Sequence, residues 1–85
     1  MNLLAPAVAF VDLETTGTSA TGDRVTEVAI VRVVDGEVIE EWSSLVDPER
    51  SIPPDIQILT GITNESVKGA PTFAEIRNDV RERLE

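Results

Sequence analysis

The sequence predicts a domain of the α/β class, and three observations lead to this prediction. Residues 7–13 form an apolar run short enough for one buried strand. Residues 25–46 contain two segments rich in β-branched side chains around a short polar turn, which is typical of a β-hairpin. Residues 72–85 repeat apolar side chains at helical spacing, which is typical of a helix that covers a sheet.

The three strands differ in their side-chain patterns. In residues 7–13 apolar side chains occupy both alternating positions, so we expect a strand buried on both faces. Residues 15–24 are polar and contain glycine, which predicts a loop. Residues 25–34 form the second strand, and Asp35-Gly36 suits both positive-φ positions of a type I′ turn. The third strand, residues 37–46, carries several glutamates, which favours a half-exposed charged edge.

Two short helical segments are predicted after the hairpin. Pro53-Pro54 can begin a helix that runs through Leu59, because proline is well suited to the first helical position. Gly61 can end that helix as a left-handed cap. Thr63 then begins a further short turn.

The last predicted helix begins at Thr72, which forms a capping box with Glu75. Its apolar stripe consists of Phe73, Ile76, Val80 and Leu84. No glycine, asparagine or proline stops the pattern before Glu85. We therefore expect the chain to be truncated within a larger fold.

Composition excludes several classes of site. The 85 residues include no cysteine and no histidine, which rules out a disulfide framework, a thiolate zinc site and a Ser-His triad formed by this chain alone. The formal net charge of −9 argues against simple binding of nucleic acid through a basic face, although a divalent cation can reverse the sign locally. The segment Met1 to Val11 lacks the basic start of a signal peptide, so we expect a cytoplasmic protein with no membrane span.

Asp12 and Glu14 are the strongest candidates for chemistry. They lie two apart on a predicted strand, so their side chains should point to the same face. Two such carboxylates repel each other and need a compensating cation or the protonation of one of them. Oxygen ligands favour Mg²⁺ or Mn²⁺. Thr15-Thr16-Gly17 follows at once, with hydroxyls and a glycine that would let a ligand approach closely.

Other interpretations of this segment remain open. Asp-x-Glu is common at solvated strand ends, and a threonine and glycine often follow a strand. A phosphatase of the haloacid dehalogenase class needs Asp-x-Asp, and Glu14 is a poor fit in length. We interpret Glu27 as a structural partner of Arg24 or of a backbone amide, Trp42 as a packing anchor, and Asp23 as turn chemistry. We expect the arginines of the last helix to form a solvated face.

The residues from Phe10 to Gly17 resemble the first motif of the DEDD (DnaQ-like) 3′–5′ exonucleases, a superfamily that includes the proofreading epsilon subunit of bacterial DNA polymerase III. The likeness continues over Arg24 to Ala29, over Ile52 to Pro54 leading into Leu59 to Thr63, and over Ala70 to Glu75. It thus covers nearly the whole chain in the order of that family. Asp-x-Glu-Thr-Thr-Gly followed by Leu-Thr-Gly-Ile-Thr is far more specific than either string alone.

This resemblance implies an RNase H-like fold of which residues 1–85 are the N-terminal portion, three antiparallel strands plus helices, truncated at the C-terminal end of a single exonuclease domain. It implies two Mg²⁺ or Mn²⁺ ions for phosphodiester hydrolysis. Asp12 would bridge both ions, and Glu14 would bind the one that activates water. Thr15 and Leu59 would contact the 3′-terminal nucleotide. The later acidic ligands and the general base of the family have no counterpart in this chain.

The resemblance also sets expectations for partners and activity. The substrate would be the 3′ end of a single-stranded nucleic acid, and a DNA polymerase catalytic subunit is a candidate partner. Two alternatives stay open, an exoribonuclease of the same superfamily and a non-catalytic docking fragment, and a further nuclease domain could follow downstream. We expect the 85-residue chain to be inactive alone and to self-associate through exposed strand edges or helix packing.

Overall fold

The computed structural model describes residues 7–85, which form one three-stranded antiparallel sheet and three helices. In order along the sheet, the strands are β1 (Ala7–Thr15), β2 (Val25–Val34) and β3 (Glu37–Leu45). The helices are α1 (Pro54–Thr60), α2 (Asn64–Val67) and α3 (Phe73–Leu84). The segment Met1 to Val11, for which we expect no signal peptide, lies partly outside the described residues. No helix within residues 7–85 is both long enough and apolar enough to cross a membrane.

The β2–β3 hairpin forms where its turn residues predict it. Asp35 has φ 53° and Gly36 has φ 80°, the two positive values that a type I′ turn requires. The second strand has the predicted bounds. The third ends at Leu45, one residue earlier than expected, and the Val46 N–H continues the pairing by donating to the Thr26 carbonyl at 2.8 Å.

The prediction that the first strand is buried on both faces is wrong for the described chain. β1 is an edge strand that pairs with β2 alone among residues 7–85, and its side chains are exposed from Ala7 to Leu13. Phe10 is 60% exposed and Leu13 is 48% exposed. The apolar pattern does mark a strand, but no helix within residues 7–85 buries its side chains from Ala7 to Leu13. The strand also extends through Thr15, two residues farther than predicted.

One face of the sheet, here called the α3 face, contains the main core. Val28 and Ile30 of β2 alternate toward this face and pack with Val46 and Ile76, each at most 6% exposed. Trp42 is paired with Ile30 across β2 and β3 and packs against the same cluster, which confirms its interpretation as an anchor.

A second cluster lies against the opposite face of the sheet. Leu45 precedes Val46 and points the other way, where it packs against Ile52, Ile62 and Val67. The predicted cap of α1 is confirmed, because Gly61 has φ 77° and its N–H donates to the Gln57 carbonyl at 2.9 Å. α1 and α2 therefore belong to the opposite face, and α3 belongs to the α3 face.

The capping box of α3 is confirmed, because the Thr72 hydroxyl accepts from the Glu75 N–H while the Glu75 carboxylate accepts from the Thr72 N–H. The expected solvated arginine face is wrong for Arg83, whose side chain is 18% exposed. Its guanidinium lies 4.6 Å from the centroid of the Trp42 ring and 3.3 Å from the Glu40 carboxylate. This stacking and ion pairing join the end of α3 to β3.

Candidate active site

Asp12 and Glu14 share the opposite face of the sheet. Strand alternation puts them on one side, while Leu13 between them is paired with Val28 of the α3 face. Asp12 is exposed and Glu14 is half-buried. Neither carboxylate accepts a hydrogen bond from another side chain within residues 7–85. Their oxygen atoms are therefore accessible to a cation.

Glu27 adds a third carboxylate to this face, one that the sequence analysis treated as structural. It lies directly opposite Glu14 in the register of β1 and β2. The expected ion pair with Arg24 does not form among the described residues. Like charges directly opposite each other across a strand pair are unfavourable. The face thus has a negative potential that a cation would relieve.

A pocket of about 130 Å³ opens where β1 ends beside α1. Three of the four candidate site residues, Glu14, Thr15 and Leu59, line it together with Gly17. Leu59 is 79% exposed, so most of its apolar side chain is in contact with solvent. Asp12 is not part of the pocket lining, and it lies two residues up the same face of β1.

The threonines after the strand make contacts within the loop. The Thr15 hydroxyl donates to the Gly17 carbonyl at 2.5 Å. Thr16 is 1% exposed, and its hydroxyl donates to Oδ1 of Asp23 at 2.7 Å. Of the two hydroxyls, only that of Thr15 lies beside the pocket, since Thr16 points into the loop.

Asp23, which we expected to serve only in a turn, makes several contacts that hold the loop after β1. Its Oδ1 accepts from Thr16, and its Oδ2 accepts from the Ser19 N–H at 2.8 Å. Arg50 lies 3.6 Å from Oδ1. The hydrogen bond from Thr16, then that from Ser19, and the charge of Arg50 hold the pKa of Asp23 below its ordinary value of 3.8. An Asp seven residues after a buried threonine gives no local signal of this contact.

The position of Asp23 requires a glycine at residue 17. A Cβ atom at Gly17 would lie 2.5 Å from Oδ2 of Asp23, which is too close for any side chain there. From the sequence we expect this glycine to let a ligand approach closely. The structure shows that the neighbour is a carboxylate of the same loop.

The part of the opposite face that carries Asp12, Glu14 and Glu27 is called the acidic face. Its carboxylate oxygens suit a hard divalent cation. Asp12 and Glu14 supply oxygen ligands with a shared direction, as Mg²⁺ and Mn²⁺ prefer. Among residues 7–85, however, no cluster of three or more histidine, cysteine, aspartate or glutamate side chains is close enough to hold a metal ion. The chain therefore presents part of a coordination sphere.

Comparison with known proteins identifies the kind of protein to which this chain belongs. Residues 9–85 match the RNase T family, which is described as exonuclease. The chain belongs to this exonuclease family. A relative agrees with this assignment, since the chain is 43% identical over 75 residues to the DNA polymerase III subunit epsilon of Aquifex aeolicus. That match covers 88% of the chain and 37% of the subunit.

The exonuclease chain is also similar to a much longer protein. It is 46% identical over 79 residues to a bifunctional exonuclease/endonuclease protein of Mycobacterium tuberculosis, a match that covers 86% of the chain and 12% of that protein. The chain therefore spans only a small part of the length of the relatives it matches.

Solved structures agree with the predicted fold class. Exonuclease X, solved in complex with 5′-overhanging duplex DNA, superposes with a TM-score of 0.76 at 29% sequence identity. The match covers 85% of the exonuclease chain and 42% of Exonuclease X. The predicted RNase H-like fold, with three antiparallel strands and helices, is thereby confirmed for the described part of the chain.

Proposed function

We propose that this chain is the N-terminal part of a single 3′–5′ exonuclease domain that removes nucleotides from a 3′ end in proofreading or repair. The observation that carries the proposal is the arrangement of Asp12 and Glu14 on one face, beside a pocket lined by Thr15 and Leu59. Membership of the exonuclease family supports the same activity.

Asp12 and Glu14 are the proposed metal ligands, with Mg²⁺ or Mn²⁺ as the ion. When bound, two such ions would stabilise the attacking and leaving oxygens of the phosphodiester. The two carboxylates extend from one rigid strand, so they are held in a fixed relation to each other. With a net charge of −9, the chain has little of its own to attract a phosphate, which makes a cation at this face necessary for binding.

Thr15 and Leu59 are proposed to receive the 3′-terminal nucleotide. They line the pocket from opposite sides, one at the end of β1 and one on α1. The exposed apolar side chain of Leu59 would gain from packing on a base or sugar, because that contact removes apolar surface from water. Thr15 would contact the same nucleotide beside Glu14, so the scissile bond would lie next to the carboxylates.

The rest of the domain is proposed to lie outside this chain. The relatives extend well beyond the matched region, and the outer edge of β1 is unpaired among residues 7–85. The chain has no histidine or tyrosine that could serve as a general base. We therefore propose that the 85-residue chain is inactive alone, since loss of a general base costs about 10²–10⁴ in rate.

The proposed partners are the 3′ end of a single-stranded nucleic acid and a DNA polymerase catalytic subunit. The likeness to a DNA polymerase III subunit supports the second partner. It also supports a cytoplasmic location, where the DNA of a bacterium lies. An RNA substrate is the second candidate, and a comparison of DNA and RNA ends in one assay distinguishes the two.

The test is release of nucleotides from 3′-labelled single strands by the full-length protein that contains this chain, with Mg²⁺ or Mn²⁺ present. We expect Asp12→Asn to lower the rate at least ~100-fold, because metal-ion stabilisation of the transition state contributes several kcal/mol. Asp35→Asn is the matched control, since it removes one carboxylate from the β2–β3 turn, where asparagine is equally suitable. Equal loss in both variants, or release that survives Asp12→Asn, would contradict the proposal.

A further inference from the structure

We infer that Asp23 is a positioning residue for the nucleotide pocket: it holds the loop after β1 in the conformation that lets Thr15 and Gly17 form one wall of that pocket. The inference rests on the proposed function, because it concerns how the 3′-terminal nucleotide is received. Asp23 does not line the pocket itself, so its effect passes through the loop.

Both carboxylate oxygens of Asp23 are engaged in the loop. Oδ1 accepts from the Thr16 hydroxyl at 2.7 Å, and Oδ2 accepts from the Ser19 N–H at 2.8 Å. The Asp23 N–H donates in turn to the Ser19 carbonyl at 3.0 Å. These contacts fix residues 16–19 from both sides. An aspartate so occupied is not available as a ligand of a cation.

Thr16 links this arrangement to the strands. Its N–H donates to the Arg24 carbonyl at 2.8 Å, and its hydroxyl accepts from the Arg24 N–H at 3.0 Å. Since its hydroxyl also donates to Asp23, Thr16 joins the end of β1, the loop and the start of β2 at one buried atom. Thr15 and Gly17, on either side of Thr16, are held in place through it.

Arg50 joins Asp23 to the segment that precedes α1. It lies 3.6 Å from Asp23 and also donates to the Gly22 carbonyl. Arg50 stands in the segment that leads into α1, which carries Leu59. Asp23 thus contacts the loop after β1 directly and, through Arg50, the segment that precedes α1. Loss of its second acceptor oxygen should loosen the first wall most.

The experiment compares the full-length protein with its Asp23→Asn variant, using the p-nitrophenyl ester of thymidine 5′-monophosphate and Mn²⁺. The amide of asparagine keeps one acceptor oxygen, so it can accept from the Thr16 hydroxyl or from the Ser19 N–H but not from both. We expect KM to rise about tenfold, the effect of one lost hydrogen bond to a charged acceptor, while kcat changes less than about twofold. Asp79→Asn is the control, because Asp79 is also an ion-paired aspartate, 3.7 Å from Arg83 on α3.

Variants of Thr16 provide an independent measurement that does not require Asp23→Asn to fold. Thr16→Ser keeps the hydroxyl and should keep KM, whereas Thr16→Val removes it and should raise KM as Asp23→Asn does. The double variant of Thr16→Val and Asp23→Asn should raise KM by less than the product of the two single effects, because Thr16 and Asp23 contact each other and hold the same loop.

The outcomes separate the two proposals. An unchanged KM in Asp23→Asn and Thr16→Val, or additive effects in the double variant, would overturn the positioning role while the exonuclease assignment stands. A lower melting temperature with unchanged KM would show a purely structural role and would also overturn it. Absence of Asp12-dependent turnover in the unsubstituted protein would overturn the proposed function and this inference with it.

Discussion

The α3 face and the opposite face of the sheet are built from the same strands but carry different side chains. The α3 face buries apolar side chains, and the opposite face presents carboxylates. On the α3 face, Val28 and Ile30 are each 1% exposed and pack under α3. On the opposite face, β1 carries Asp12 and Glu14, and within residues 7–85 α1 and α2 cover the Leu45 end. The alternation of side chains along a strand therefore separates the part that folds the chain from the part that presents the carboxylates.

This difference has a physical cause. Burying a carboxylate without a partner is costly, so a strand that must present two of them needs a face from which helices are kept back. The apolar positions on the other face provide the stability that the acidic face lacks. Substitutions on the two faces should therefore change different properties, stability on one and metal or nucleotide binding on the other.

The largest expected change in stability comes from the α3 face. We expect Ile30→Ala to lower the free energy of unfolding by about 2–5 kcal/mol, because it leaves a cavity in the main core. Ile39→Ala is the matched control, with the same chemistry at a β3 position that is 53% exposed, and should cost no more than about 1 kcal/mol. Urea unfolding followed by far-ultraviolet circular dichroism measures both. A similar loss of unfolding free energy in the two variants would contradict the placement of the main core on the α3 face.

The second prediction concerns the outer edge of β1, the strand whose side chains alternate between the two faces. We expect the 85-residue chain to self-associate, because β1 exposes a row of unpaired backbone groups beside Phe10 and Leu13. Light scattering on a chain verified by mass spectrometry measures this. A charge on the edge, in Phe10→Lys, should shift the population toward monomer. A stable monomer of 9.2 kDa with a cooperative melt would contradict the prediction.

The third prediction concerns pH and the loop that joins β1 to β2. Because the folded state holds the pKa of Asp23 below 3.8, Asp23 stabilises the fold above that pH, and this contribution is lost as the pH falls further. The difference in free energy of unfolding between the chain and Asp23→Asn should be constant above about pH 5 and shrink below it. Urea unfolding at a series of pH values measures the difference. A difference that grew toward acid would contradict the assigned direction.

Local signals in the sequence predicted most of the fold. The I′ turn at Asp35-Gly36, the cap at Gly61 and the capping box at Thr72 each depend on a few neighbouring residues, and each is confirmed. The burial of β1 was predicted wrongly, because an apolar pattern reports what a strand could bury but not whether a neighbour is present. Arg83 was misjudged for a related reason, since its partners Trp42 and Glu40 lie on another element.

The candidate site divides in the same way. Side chains two residues apart on a strand share a face. The common orientation of the Asp12 and Glu14 carboxylates could therefore be predicted from their spacing alone. The contact of Asp23 with Thr16, and the position of Glu27 opposite Glu14, depend on strand register and loop closure. Neither is encoded by a local pattern. The functional roles of Asp12, Glu14, Thr15 and Leu59 stay predictions.

Calorimetric titration of the full-length protein with Mn²⁺ tests the central claim, that the acidic face holds the metal ions. We predict that Asp12→Asn weakens Mn²⁺ binding at least ~tenfold, since loss of even an outer-shell partner of a metal costs 10–100-fold. Asp35→Asn should bind as the unsubstituted protein does. The isolated 85-residue chain should bind more weakly, because it presents only part of the ligand set. Unchanged affinity in Asp12→Asn would contradict the account.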